Sequence, residues 1–135
     1  MTRSRLVIIA GALVAVSAAT QAQADPCKAI PDRGPMPAYL TPGKAFSGPV
    51  VYIVDGDGLC VAVGPTQGDW VEVRLADFYA PELAEPNGDA AKAALELIAM
   101  GKRVACAAQH RSYDRVVAVC TLQGSSLGDL MRAAR

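Results

Sequence analysis

The chain has 135 residues, enough for one modest domain, and 52% of them are hydrophobic. Its 13 Lys/Arg balance 13 Asp/Glu, but Arg3 and Arg5 sit at the extreme start, so the remainder is slightly acidic. A general polyanion binder is basic overall, so any nucleic-acid reading must rest on a local site.

Arg3 and Arg5 precede the apolar run LVIIAGALVAVSAA, and Ala22-Gln23-Ala24 forms a small-x-small site. Residues 1–24 have the form of a secretory signal peptide, with cleavage expected before Asp25. The run is short for a spanning helix, so the mature chain is expected to be secreted or periplasmic and free of the membrane. Residues 25–46 follow, with proline and glycine too frequent for a helix or a central strand. They are expected to form an irregular arm, and 47–135 the folded domain.

Two β-rich runs, Val50 to Val54 and Leu59 to Val63, flank Asp55-Gly56-Asp57-Gly58. After the turn GPTQGD, WVEVRLA alternates Val71, Val73 and Leu75 with Trp70, Glu72 and Arg74, which gives one apolar and one charged face. DAAKAALELIAMGK is the strongest helix pattern, with Asp89 as expected N-cap, Leu95 and Ile98 on one face, and Gly101 as the stop. Two further strands, RVACAA and RVVAVCTL, are joined by QHRSYD, which places His110 on a surface loop. Ser125 or Ser126 is placed to cap a last short helix, LGDLMRAA. Three strands, a helix, two strands and a helix match an OB arrangement, a five-stranded barrel with a helix between strands three and four.

The four cysteines, Cys27, Cys60, Cys106 and Cys120, all follow the expected cleavage point. An even count in an exported domain predicts two disulfides, and four cysteines allow three pairings. Zinc is the competing reading, but no CxxC pair is present and His110 is the single histidine.

Four segments in this order resemble the staphylococcal nuclease (thermonuclease-like) family: VDGDGL, VRLADFYAPE, GDAAKAALELIAMGKRV and RSYDRVVAVC. They parallel the family's V-D-G-D-T-[LIV], V-R-L-x-G-[IV]-D-[AT]-P-E, G-x-x-A-x-x-x-L-x-x-L-[VI]-x-G-K-x-V and D-[RK]-Y-G-R-x-[VL]-A-x-[VC]. Taken singly, Arg74 reads as a solvated strand residue, Pro81-Glu82 as loop and D-G-D-G as a hairpin turn. Their joint order and spacing carry the resemblance.

The resemblance implies an OB barrel of that family's type, shortened at its C-terminal end, and calcium-dependent endonuclease chemistry on DNA or RNA by a monomer. It implies that Arg74 and Arg115 bind the scissile phosphate, that Glu82 activates or orients water, and that Asp57 ligates the metal. Tyr113 matches the motif tyrosine and is a candidate phosphate contact. The chemistry suits these residue types. Arginine donates two parallel hydrogen bonds to a phosphate and stays charged, and a carboxylate accepts a proton from water. Calcium takes oxygen ligands, and Asp55 shares the strand parity of Asp57. The resemblance also favours Cys106–Cys120, since exported members often hold cysteines at those positions. Antiparallel pairing of their strands agrees, and Cys27–Cys60 is left as the second bond.

The sequence also departs from the pattern. Tyr79 replaces a calcium-ligand aspartate, Gly58 a threonine, Arg111 an aspartate and Asp114 a glycine. Asp77, two residues before Tyr79, restores a carboxylate of the right parity if the strand extends that far. The family's following helix, with tyrosines near the nucleotide, has no counterpart, which implies reduced base stacking. The alternatives to a nuclease are a non-catalytic OB module that binds nucleic acid, another anion or a protein, and a purely structural domain.

Overall fold

The computed structural model describes residues 26–135, so the signal-peptide reading of 1–24 and its cleavage before Asp25 lie outside the described residues. The elements are β1 (Ala45–Ile53), β2 (Gly58–Ala62), β3 (Trp70–Leu75), α1 (Gly88–Ala99), β4 (Arg103–Ser112), β5 (Arg115–Leu122), the two-residue β6 (Ser125–Ser126) and α2 (Leu127–Ala133).

β1 is shared between two partners. Its first half, from Ala45 to Pro49, pairs antiparallel with β4, and its second half, from Val50 to Ile53, pairs antiparallel with β2. β3 lies on the other side of β2, and β5 on the other side of β4. A parallel pairing of β3 with β5 closes the circuit. Among the described residues this makes a closed, mixed, five-stranded OB-like barrel, with α1 between the third and fourth strands as the pattern predicts.

The apolar residues of β3 fill the barrel as expected, whereas Glu72, on the face expected to be charged and solvated, is buried too. Val71, Val73 and Leu75 are buried, together with Leu59, Val61, Val104, Val116 and Ala118. α1 adds Leu95 and Ala99, with Ala91, Ala94 and Ile98 packed beside them. That spacing of three to four residues is the apolar stripe of a surface helix. The α1 N-cap is Asn87, in a left-handed conformation and without a side-chain cap, rather than Asp89. Asp89 lies in the first turn, where its charge suits the helix dipole. Ser126 does cap α2, accepting a hydrogen bond from the Asp129 amide.

The disulfides are Cys27–Cys60 and Cys106–Cys120, with Cα separations of 5.9 and 4.0 Å. Cys106 stands directly opposite Cys120 across β4 and β5. Two such bonds suit an oxidising compartment. Among the described residues no helix is long and apolar enough to cross a membrane.

The arm is irregular apart from a single 3-10 turn at Ala38–Leu40, and it is fastened. The Lys28 and Ala29 amides both donate to the Trp70 carbonyl, and Gln67 donates to that of Pro26. Arg111 donates to the carbonyls of Pro31 and Gly34. The arm gives way to β1 at Ala45, slightly before the expected boundary at 46.

Candidate functional site

The site grows from the point where β2 begins beside the end of β3. Gly58 pairs with Arg74, and the Leu75 amide donates to the Asp57 carbonyl at 2.8 Å. This register brings the guanidinium back over the turn before β2. Arg74 and Asp57 form an ion pair at 3.6 Å, with the Arg74 side chain 25% exposed and that of Asp57 only 3%. The same Asp57 oxygen accepts the Ala80 amide at 3.2 Å, and the Asp57 amide donates to Asp55 at 3.1 Å. Burial pushes Asp57 up to about 6, and the adjacent Asp55 carboxyl adds to the rise, against the pull of the Ala80 amide and Arg74.

Arg115 opens β5, paired with Ser112 across the hairpin. In the parallel register Val73 faces Val116 and Arg74 faces Val117. Side chains alternate along each strand, so Arg74 and Arg115 point from the same outer face of the barrel. Glu82 is exposed on the loop between β3 and α1. Its amide donates to the Glu85 carboxylate and its carbonyl accepts from the Glu85 amide, both at 2.9 Å.

An open cleft of about 720 Å³ lies beside Arg74. Its walls carry Arg74, Asp77, Tyr79, His110, Arg132 and Arg135, while Arg115, Glu82 and Tyr113 stand outside them. Arg132 donates to the Asp77 carbonyl and to the Asp129 carboxylate, which holds Asp129 below the ordinary carboxylate range. Arg135 lies over the Phe78 ring, 5.0 Å from its centroid, and donates to the Tyr79 carbonyl at 3.4 Å. The cleft walls thus carry three arginines and one histidine beside a single carboxylate, that of Asp77, whose Oδ1 is buried without a hydrogen-bond partner among the described residues.

Several expected positions differ. β3 stops at Leu75, so strand parity does not carry to Asp77. The Asp77 carboxyl instead packs against Gly128 of α2, where a Cβ would lie 2.5 Å from it. His110 is not on a loop, because β4 runs through Ser112 and the hairpin turn is only Tyr113-Asp114. Tyr113 is 84% exposed at that tip, with φ +56°. Tyr79 is 66% exposed.

The residues present fall short of the calcium site that the resemblance implies. Calcium takes six to eight oxygens. Asp57 already serves Arg74 and the Ala80 amide, Asp55 serves the Asp57 amide, and Tyr79 offers a phenol where a carboxylate is needed. Among the described residues no three His, Cys, Asp or Glu side chains come together as a metal-holding group, so Asp55, Asp57 and Asp77 do not form one ligand set.

His110, Arg132 and Arg135 are the cleft residues that sequence reasoning missed. The one available signal was the Asp129–Arg132 spacing on α2, which marks an exposed ion pair but not a cleft. No protein-family model matches the chain, and no curated protein matches it.

Proposed function

We propose that the chain is an exported phosphodiesterase of the staphylococcal nuclease type, a monomer that cleaves DNA or RNA. The observation that carries this reading is the shared outer face of Arg74 and Arg115 across the β3–β5 pairing, beside a basic cleft. Two guanidinium forks on one face suit a phosphate whose oxygens gain negative charge during attack. Glu82 takes the water-activating role. Calcium is given no step, and what remains of that expectation is weak binding at Asp55 and Asp57. The two disulfides support export.

The second reading, a non-catalytic OB module that binds nucleic acid, is favoured by the position of Glu82 outside the cleft walls. Degradation of denatured DNA by the purified chain, with and without calcium, separates the two. The nuclease reading expects cleavage that Arg74→Lys and Glu82→Gln each lower sharply. Binding without cleavage supports the module, and neither binding nor cleavage removes both.

A further inference from the structure

Tyr79 stands where a metal carboxylate was expected, and its surroundings give it a different task. Large apolar side chains are exposed at several points of the described residues: Tyr39, Leu83, Leu97, Met100 and Tyr113 besides Tyr79. Of these, only Tyr79 is in the wall of the basic cleft. The loop that carries it is pinned on both sides. Arg132 holds the carbonyl of Asp77, Arg135 holds that of Tyr79 itself, and Asp57 holds the amide of Ala80. Phe78 turns inward and is buried beneath Arg135. A loop anchored in this way holds the Tyr79 backbone in place and leaves its side chain exposed, in the wall that also carries Arg74, Arg132, Arg135 and His110.

We infer that Tyr79 is a stacking platform for one base of a single-stranded nucleic acid, whose neighbouring phosphates lie along Arg74, Arg132 and Arg135. The inference rests on the phosphate-handling reading above and deepens it by naming the substrate class. An aromatic ring beside a positive groove is how sequence-tolerant single-strand binding works, because every base offers a π-face. A duplex buries those faces against neighbouring base pairs, so Tyr79 favours unpaired strands. The arginines keep donors for this role. Each guanidinium has five N–H groups, and Arg132 commits its protein contacts to one carbonyl and one exposed carboxylate. A cleft of about 720 Å³ admits a nucleotide-sized group.

The test is equilibrium binding by fluorescence anisotropy in EDTA, with gel electrophoresis after each titration to check that the probes are intact. The probes are a labelled oligothymidylate and a duplex of the same length. The wild-type chain is expected to prefer the single strand. Tyr79→Ala should weaken single-strand binding about tenfold or more, as loss of one stacked base does, and leave the duplex unchanged. Tyr79→Phe should restore the wild-type value, since the ring and not the hydroxyl stacks. Equal losses on both probes, or no loss on either, overturn the stacking role while phosphate binding stands. No binding of either probe by the wild-type chain overturns the phosphate-handling reading itself, and this inference with it. Thermal melting of each variant separates these outcomes from misfolding, and Tyr79 is exposed enough for all three chains to melt alike.

Discussion

The Asp57 carboxylate lies 3.6 Å from the Arg74 guanidinium and is buried almost completely, so the half-buried arginine is rooted on a carboxyl whose proton is held up to about pH 6. The ordinary value is 3.8, and burial is the main cause of the rise. Between these values the folded state binds more protons than the unfolded one. The protonated carboxyl therefore contributes stability that is fully present below about 3.8 and is lost as pH rises through about 6. The shift corresponds to about 2–3 kcal/mol. Urea unfolding of the wild type and Asp57→Asn, from pH 4 to pH 8, should show the variant gaining on the wild type by that order as pH rises. A difference that stays flat across the window overturns the account.

A second expectation concerns the two arginines on one face. If Arg74 and Arg115 grip one phosphate, each change to Ala should lower nuclease turnover by about 10²–10³, the usual cost of one transition-state donor. The double variant should lose much less than the product, because groups that act as a unit are not additive. Arg74→Lys is the cleaner probe. It keeps a charge near Asp57 but loses the planar fork, so activity should fall while the unfolding midpoint barely moves. Independent, multiplicative losses would assign the arginines to separate phosphates.

The sequence made the barrel legible where apolar residues recur at every second position, as at Val71, Val73 and Leu75, and where the helix stripe runs through Leu95 and Ile98, but not the burial of Glu72. The condition set for Asp77 is not met, because parity holds only inside a strand and β3 ends two residues earlier. The sequence misplaced His110, because the polar end of β4 is held in the sheet by backbone pairing with β5 rather than by apolar burial. The cleft itself was not legible. Arg74, His110 and Arg132 come from three distant segments, and only the closure of β3 on β5, with α2 packed nearby, brings them together.

Gly56 should tolerate no side chain. A Cβ there would lie 2.6 Å from the Cβ of Ala80 and 2.6 Å from that of Ala91, neither of which can swing away. Gly56→Ala should cost about 1–3 kcal/mol by overpacking. It should also displace the turn that carries Asp55 and Asp57, and so loosen Arg74. Adding Ala80→Gly removes one of the two clashes and should recover part of the loss. Chemical denaturation of the single and double variants measures both effects, and a double variant no better than the single would place the strain elsewhere.

The disulfides close loops of different size, with sequence separations of 33 and 14 residues. In the chain-entropy model each stabilises the fold by about 3–4 kcal/mol, the longer loop by more. Cys106→Ala/Cys120→Ala should lower the melting temperature with the arm still fastened. Cys27→Ala/Cys60→Ala should lower it further and expose the arm to protease, since Cys27 is the covalent link between the arm and β2. Melting curves and limited proteolysis of the two double variants check the order, and a larger loss from the Cys106–Cys120 pair would reverse it.

Arg111 explains one departure from the family pattern, where an aspartate is usual. Its guanidinium donates to the carbonyls of Pro31 and Gly34 in the arm and of Tyr113 in its own hairpin. Three carbonyls, two of them far away in sequence, converge on one planar fork that keeps its charge at any working pH. Aspartate could only accept hydrogen bonds, so it would leave all three carbonyls without a donor. Lysine would keep the charge but not the fork. Arg111→Ala should therefore cost about 2–3 kcal/mol, as expected when hydrogen bonds to a charged group are lost. The loss should be local. Residues 30–36 should become the first protease-sensitive segment, while amides of the β2–β3 ladder keep their protection against hydrogen exchange. Arg111→Lys should fall between the variant and the wild type. Hydrogen exchange followed by peptide mass spectrometry reads both regions at once. Protection of the arm that survives Arg111→Ala would mean that Cys27–Cys60 and the Trp70 carbonyl hold it without the arginine.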